Sequence, residues 1–161
     1  MSKLQVRKVS PMATIPTLTG ATFPICATVS RFEAVLRSGN TQATAYWLNT
    51  GLQFDVPEGH VLKVYPEHDL AKNHLARLAE CVAIVEPGDH SELVLRLVVD
   101  EGGKTFEPKV GMVVARAMLE QIVCPELVEV TSFDEPATGT ETATSETAAA
   151  VTDETVKKAK K

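Results

Sequence analysis

Aromatic residues are few in this chain: one Trp, two Tyr and five Phe among 161 residues. Cysteine is scarcer still, and Cys26, Cys81 and Cys124 are odd in number and widely spaced, with no Cys-x-x-Cys. That excludes a disulfide framework and a cysteine-built zinc site. Each lies among apolar neighbours (PICAT, AECVA, QIVCP), so all three are expected to be reduced thiols in the core of a cytoplasmic protein. Long apolar runs are missing too. LVLRLVV at 93–99 falls far short of the roughly 20 residues that a membrane span requires. The start, MSKLQVRKVSP, lacks the apolar stretch of a secretory signal. Nor is there an excess of positive charge: 16 Lys and Arg against 21 Asp and Glu leave a net charge of −5. Such a balance gives no general attraction to nucleic acid or to anionic membranes, and neither is expected as a partner. A Gly-rich phosphate loop, a Gly-x-Ser-x-Gly elbow and a His-Glu-x-x-His helix are all lacking.

What is present suits a small globular domain, with 44% hydrophobic and 23% charged residues. The composition changes at Asp134. From there to Lys161 stand seven Thr, six Ala, six acids and four Lys, with Val151 and Val156 the only large apolar side chains. Such a stretch cannot offset its ordering entropy by burial, so residues 1–133 are expected to fold and 134–161 to form a disordered tail. Within the first part, short runs rich in β-branched residues alternate between Pro/Gly turns. KLQVRKV (3–9), YWLNTGLQFDV (46–56), HVLKVYP (60–66), ELVLRLVV (92–99), VGMVVARAMLEQIV (110–123) and ELVEV (126–130) read as strands. The second and third flank Pro57-Glu58-Gly59 and suggest a hairpin. In 92–99 the spacing puts Leu93, Leu95, Leu97 and Val99 on one face and Val94, Arg96 and Val98 on the other. The segment 68–81, with Leu70, Ala71, Leu75 and Leu78, suits a short helix or a loop followed by a strand. Many short strands in one unit predict an all-β jelly roll or barrel.

Two clusters invite a chemical reading. His60, His68, His74 and His90 lack metal-ligand spacing and read as surface or polar-network groups. The turn Glu86-Pro87-Gly88-Asp89-His90 offers a carboxylate for acid–base work, although acids in Pro-Gly turns are usually just solvated. The lysine-rich end reads as a solvated terminus.

The order of segments carries more. RKVSPMATIPTLTGATFPICA, TGLQFDVPEGHVLKVYPEHDLA, RLAECVAIVEPGDHSELVLRLV and FEPKVGMVVARAMLEQI resemble, in register over about residues 5–130, the trimeric dUTPase family, phage-type members above all; the wider family includes dCTP deaminases. The resemblance implies a distorted β-barrel or jelly roll and a homotrimer. Apolar residues on both faces of 92–99 suit such an assembly, because a lone sandwich would leave one face partly exposed. A phage origin would place the protein in the host cytoplasm, with virion association as a further option.

At the positions that the family uses for chemistry, this chain departs from it. Pro24 stands where an Asp helps place the magnesium-bound triphosphate. The Pro-Arg-Ser-Gly motif, whose Arg and Ser hold phosphate, is here Pro66-Glu67-His68-Asp69. Glu86 takes the place of the catalytic Asp, Asp89 that of a Tyr under the deoxyribose, and Glu80 that of an Asn that reads uracil. Ala-Gln becomes Ala115-Arg116, and the aromatic Arg/Gly-rich closing segment has no counterpart after Phe133. The deaminases' catalytic Glu falls at Arg96, whose cation cannot serve as a general base. Glu86 keeps a carboxylate but lengthens it, and a displacement of about 1 Å can cost roughly 10²-fold.

The expectation is therefore a catalytically inactive dUTPase-like trimer that acts as a binding module for an unidentified protein, without cofactor or metal. Glu67, Asp69, Glu80, Glu86 and Asp89 would make its clefts acidic, with Arg116 as counter-charge, and His68 among them. The alternative is a divergent dUTP diphosphatase with Glu86 as base and magnesium on Asp89 or Asp69. A sensor that binds nucleotide without turnover is a third possibility. Sequence leaves open whether the segment 31–45 covers the cleft.

Overall fold

Alternation of apolar and polar residues builds a set of short antiparallel strands. The computed structural model describes residues 3–38, 41–100 and 106–133, and only the backbone of 34–38 and 41–42. In chain order the strands are β1 (Gln5–Lys8), β2 (Phe23–Cys26), β3 (Val29–Ser38), β4 (Thr41–Asn49), β5 (Leu52–Asp55), β6 (His60–Pro66), β7 (Ala76–Leu78), β8 (Ala83–Val85), β9 (Val94–Val99) and β10 (Val113–Gln121). One helix, α1 (His68–His74), lies between β6 and β7. Two four-stranded sheets, ordered β2-β10-β6-β8 and β3-β4-β9-β7, are joined by a two-stranded ribbon of β1 and β5. This is the expected all-β jelly roll.

The core draws on both sheets: Ile25, Leu62, Val64 and Val114 from one, Leu48, Leu95 and Leu97 from the other, and Phe54 from the ribbon. Burying one such leucine stabilises the fold by about 1.5–3 kcal/mol. Leu93, Leu95, Leu97 and Val99 face inward as expected. Val98, on the opposite face, is only 4% exposed within one chain. The same face is not covered throughout: Trp47 on β4, paired with Arg96, is 36% exposed. A β-bulge in β10 between Val113 and Ala115 explains two consecutive buried residues, Val114 and Ala115. Beyond the bulge the alternation resumes and leaves Arg116 only partly covered.

Several expectations change. Residues 46–56 are two strands, broken at Thr50-Gly51, where Gly51 has φ +66°. The hairpin across Pro57–Gly59 does not form: β5 pairs with β1, whereas β6 pairs with β10 and β8. The turn reverses the chain but carries it to another sheet. The segment 68–81 combines both readings, because Leu75 at φ +50° ends α1 and β7 follows at once. The segment 31–45 belongs to the hairpin of β3 and β4, with β3 at the sheet edge.

The thiols are not core residues as expected. Cys26 is half-buried, and Cys81 and Cys124 are exposed. Cys81 sits at φ +62° in a tight turn, its N–H on the Leu78 carbonyl. The burial of Ala83 and Val85 nearby is achieved without it.

The chain divides into the unit Met1–Pro125, which holds every strand above, and a unit Glu126–Lys161. Of the latter, residues 126–133 are described and contain no helix or strand, so ELVEV is not the strand its composition predicts. Leu127 is almost fully exposed and has no ladder to join. The expected tail, 134–161, lies outside the described residues.

Candidate functional site

Within one chain the singled-out residues fall in three places. The first is the end of the β2-β10-β6 sheet. Strand pairing sets Arg116 opposite Pro24 on one side and Tyr65 on the other. Glu67 follows β6 directly, and its backbone N–H donates to the Val114 carbonyl (3.2 Å). Its carboxylate accepts from Arg116 Nε (2.8 Å) at Oε2 and from the His68 N–H (3.2 Å) at Oε1, so that it also caps α1. Asp69 accepts from the Asn73 side chain and lies 3.9 Å from His74 Nε2, while the His74 ring stacks on Phe106. His68 and Asp69 are exposed on the first turn of α1.

The second place is a cavity of about 140 Å³ whose lining includes Glu80, Asp89, Glu92, Ser91, Phe54 and Val85. Among the described residues no Lys, Arg or His lines it. Asp89 Oδ1 accepts from the Ser91 hydroxyl (2.6 Å) and the Ser91 N–H (2.9 Å). Those bonds to the charged form hold the Asp89 carboxyl below its usual range, so it stays ionised near neutral pH and is a poor proton acceptor. Glu92, which sequence reasoning missed, accepts from the Gly51 N–H (2.8 Å) and joins this wall to the Thr50-Gly51 turn.

Glu86 stands apart. It lines a cavity of about 300 Å³ with Glu58, Gly59, Val61, Ile122 and Cys124. Glu86 and Asp89 thus share one tight turn but line different cavities, and within one chain the expected acidic side chains do not line a single cavity.

Two further clusters join residues that are distant in sequence, so their pairings had no sequence signal. Arg7 donates to Gln53 Oε1, and His90 Nε2 lies 3.0 Å from Asp55 Oδ1, around a cavity of about 280 Å³ beside Phe54. Arg96, at the deaminase-like position, makes paired bonds of 2.7 and 2.9 Å to Glu33 and lies 5.7 Å from the Trp47 ring centroid. The carboxylate raises an already high guanidinium pKa, which leaves no base at that position.

The family resemblance brings magnesium into question. Pro24 offers no side-chain oxygen, and Glu86 and Asp89 line different cavities. Among the described residues no three His, Cys, Asp or Glu side chains are placed to hold one ion. The donor set of a single chain does not fit the ion.

No protein-family model matches the chain. A deoxyuridine 5'-triphosphate nucleotidohydrolase of Arabidopsis thaliana is 30% identical over 135 residues, spanning 84% of this chain and 77% of the relative. One from Mycolicibacterium vanbaalenii is 29% identical over 86 residues, 53% of this chain and 56% of the relative. Among solved structures, the dUTPase of Staphylococcus bacteriophage 80alpha superposes with a TM-score of 0.62 at 17% identity, covering 83% of this chain and 99% of that one. It is described as controlling the transfer of virulence genes by a proto-oncogenic G protein-like mechanism. A dUTPase variant from phage phi11 of S. aureus gives 0.63 at 17% identity, covers 83% and 99%, and is described as coordinating a structural Mg(II) ion. At such identity the structures establish the shared fold.

Proposed function

Because the chain belongs to the deoxyuridine 5'-triphosphate nucleotidohydrolase (dUTPase) family, we propose that it keeps the family framework as a homotrimeric binding module and has lost nucleotide hydrolysis. The observation that carries this reading is the lining of the 140 Å³ cavity, where Glu80, Asp89 and Glu92 stand with no cationic side chain among the described residues. By the resemblance Glu80 and Asp89 take the places that face uracil and deoxyribose, so a nucleotide seated there would bring its anionic phosphates near these carboxylates. Like charges about 4 Å apart oppose each other by about 1 kcal/mol even in water. Asp89, held ionised by Ser91, cannot relieve that repulsion by taking up a proton near neutral pH. Such a surface suits the basic face of a protein partner instead. That this fold serves regulation in the 80alpha protein is an analogy of fold, and it concerns that protein.

Pyrophosphate release from dUTP with magnesium tests the reading. No turnover above the protein-free rate is expected, with a trimer mass for the same sample. A Lys-rich peptide should bind the wild type in low salt and bind Glu80→Gln/Asp89→Asn several-fold more weakly. Equal binding to both proteins would remove the acidic cavity from the account.

The second reading, a divergent dUTP diphosphatase, rests on the hydrolase relatives and on the carboxylate kept at Glu86. Turnover that Glu86→Gln abolishes would establish it and overturn the first.

A further inference from the structure

We propose that Glu67 is a built-in anion that occupies the guanidinium of Arg116 and thereby keeps phosphate groups off this end of the sheet. The inference deepens the non-hydrolysing reading and rests on it. Three observations hold Glu67 in place. Its N–H is bonded to the Val114 carbonyl within the β10 bulge, which fixes its backbone across the sheet. Its two carboxylate oxygens have separate donors, the His68 N–H and Arg116 Nε. And the carboxylate is the more enclosed partner, with its side chain 17% exposed against 42% for Arg116. A loose surface pair would leave both ends free to swing; here the acid is anchored and the cation comes to it.

A carboxylate and a phosphate compete for the same guanidinium edge, since both present anionic oxygens to its N–H donors. Pro24, across the strand pair from Arg116, adds no side-chain donor that could attract an anion past Glu67. The device therefore acts locally and depends on one side chain. Removing the charge while keeping the shape should expose the guanidinium. In Glu67→Gln, the amide oxygen still accepts from the His68 N–H, but its NH₂ cannot accept from Arg116.

The test is a titration with inorganic pyrophosphate in low salt without metal, followed through the Arg116 Nε–H resonance and by calorimetry. Glu67→Gln should bind at least about tenfold more tightly than the wild type, the effect of removing one negative charge a few ångströms from the anion. The double variant Glu67→Gln/Arg116→Gln should lose the gain. If loss of the acid weakens α1, Glu67→Ser retains a capping oxygen and should show the same gain. Pyrophosphate affinities of Glu67→Gln and wild type within twofold of each other would overturn the inference, as would a gain that survives in the double variant. Failure of the non-hydrolysing reading has a different signature, dUTP turnover by the wild type.

Discussion

The turns at Thr50-Gly51 and at Glu86–His90 both bend the chain through a glycine of positive φ, yet they obey different constraints. At the first, Thr50 Oγ1 donates to the Leu93 carbonyl (2.7 Å), the Gly51 N–H to Glu92 (2.8 Å), and the Val9 N–H to the Gly51 carbonyl (2.8 Å). A side chain on Gly51 would meet Ser10 Cβ at 2.7 Å and Ala13 Cβ at 2.9 Å. At the second, a side chain on Gly88 would meet nothing within 4 Å. Apart from the exposed contact of His90 with Asp55, its bonds are local: the Asp89 N–H to the Glu86 carbonyl, and Ser91 to the Asp89 carboxylate. The first turn is held from several elements and fixes the fold. Around Glu86 and Asp89 the second is held by its own bonds, so these two residues can occupy it with little consequence for packing. The framework and the candidate site residues Glu86 and Asp89 therefore rest on different turns.

The sharpest test of that contrast is a matched pair of substitutions. Gly51→Ala combines a left-handed backbone with two backbone-anchored clashes and should cost about 3 kcal/mol or more. Gly88→Ala carries only the conformational penalty, about 1–2 kcal/mol. Urea denaturation midpoints of the two variants measure the difference; equal losses would mean that the approach of Ser10 and Ala13 relaxes freely. Next in size is Glu92→Ala. It removes the acceptor of a part-buried Gly51 N–H and should cost about 1–3 kcal/mol, while Glu80→Ala, on the same cavity wall but with an exposed side chain, should leave the midpoint within about 0.5 kcal/mol of wild type.

These constraints were unevenly legible in the sequence. Alternation in 60–66 and 92–99 reports which face is buried, because period-two burial is local information. Partner choice is not local, which is why Pro57–Gly59 reads as a hairpin turn although β5 and β6 join different sheets. The apolar neighbours of Cys81 likewise say nothing of the positive φ that turns it out. The site shows the same division. The family resemblance places Glu67, Glu80, Glu86 and Asp89 along the chain, but only the fold shows Glu86 in another cavity from Asp89, and Arg116 on Glu67. Glu92 and Glu33 carry no motif at all. Their roles come from partners 41 and 63 residues away.

Leu75 offers a smaller test, of opposite sign. It ends α1 at φ +50°, a conformation that glycine adopts without the side-chain penalty, and it is about half exposed. Leu75→Gly should relieve about 1 kcal/mol of strain and give back part of it as lost apolar contact, for a net stabilisation of about 0.5 kcal/mol. A lower melting temperature would show that the leucine's contacts outweigh its backbone cost.

A similarly small effect, and one that varies with pH, belongs to Asp89. Its carboxyl lies below the usual range chiefly because the Ser91 hydroxyl, and then the Ser91 N–H, bond the charged form. The unfolded chain therefore binds the Asp89 proton more tightly than the folded one, and protonation favours unfolding. The stabilisation is complete above the ordinary carboxylate value of about 4 and is lost as the pH falls through the lower folded value. Solvent screening at this exposed turn keeps it under about 1 kcal/mol. Asp89→Asn has no such titration. The stability gap between wild type and Asp89→Asn should accordingly be largest at pH 5–7 and close toward pH 2–3, measured by urea midpoints across that range. A gap that stays constant with pH would assign the role of Asp89 to the shape of its turn and not to its charge, and would leave Gly88 and Asp89 as one structural unit.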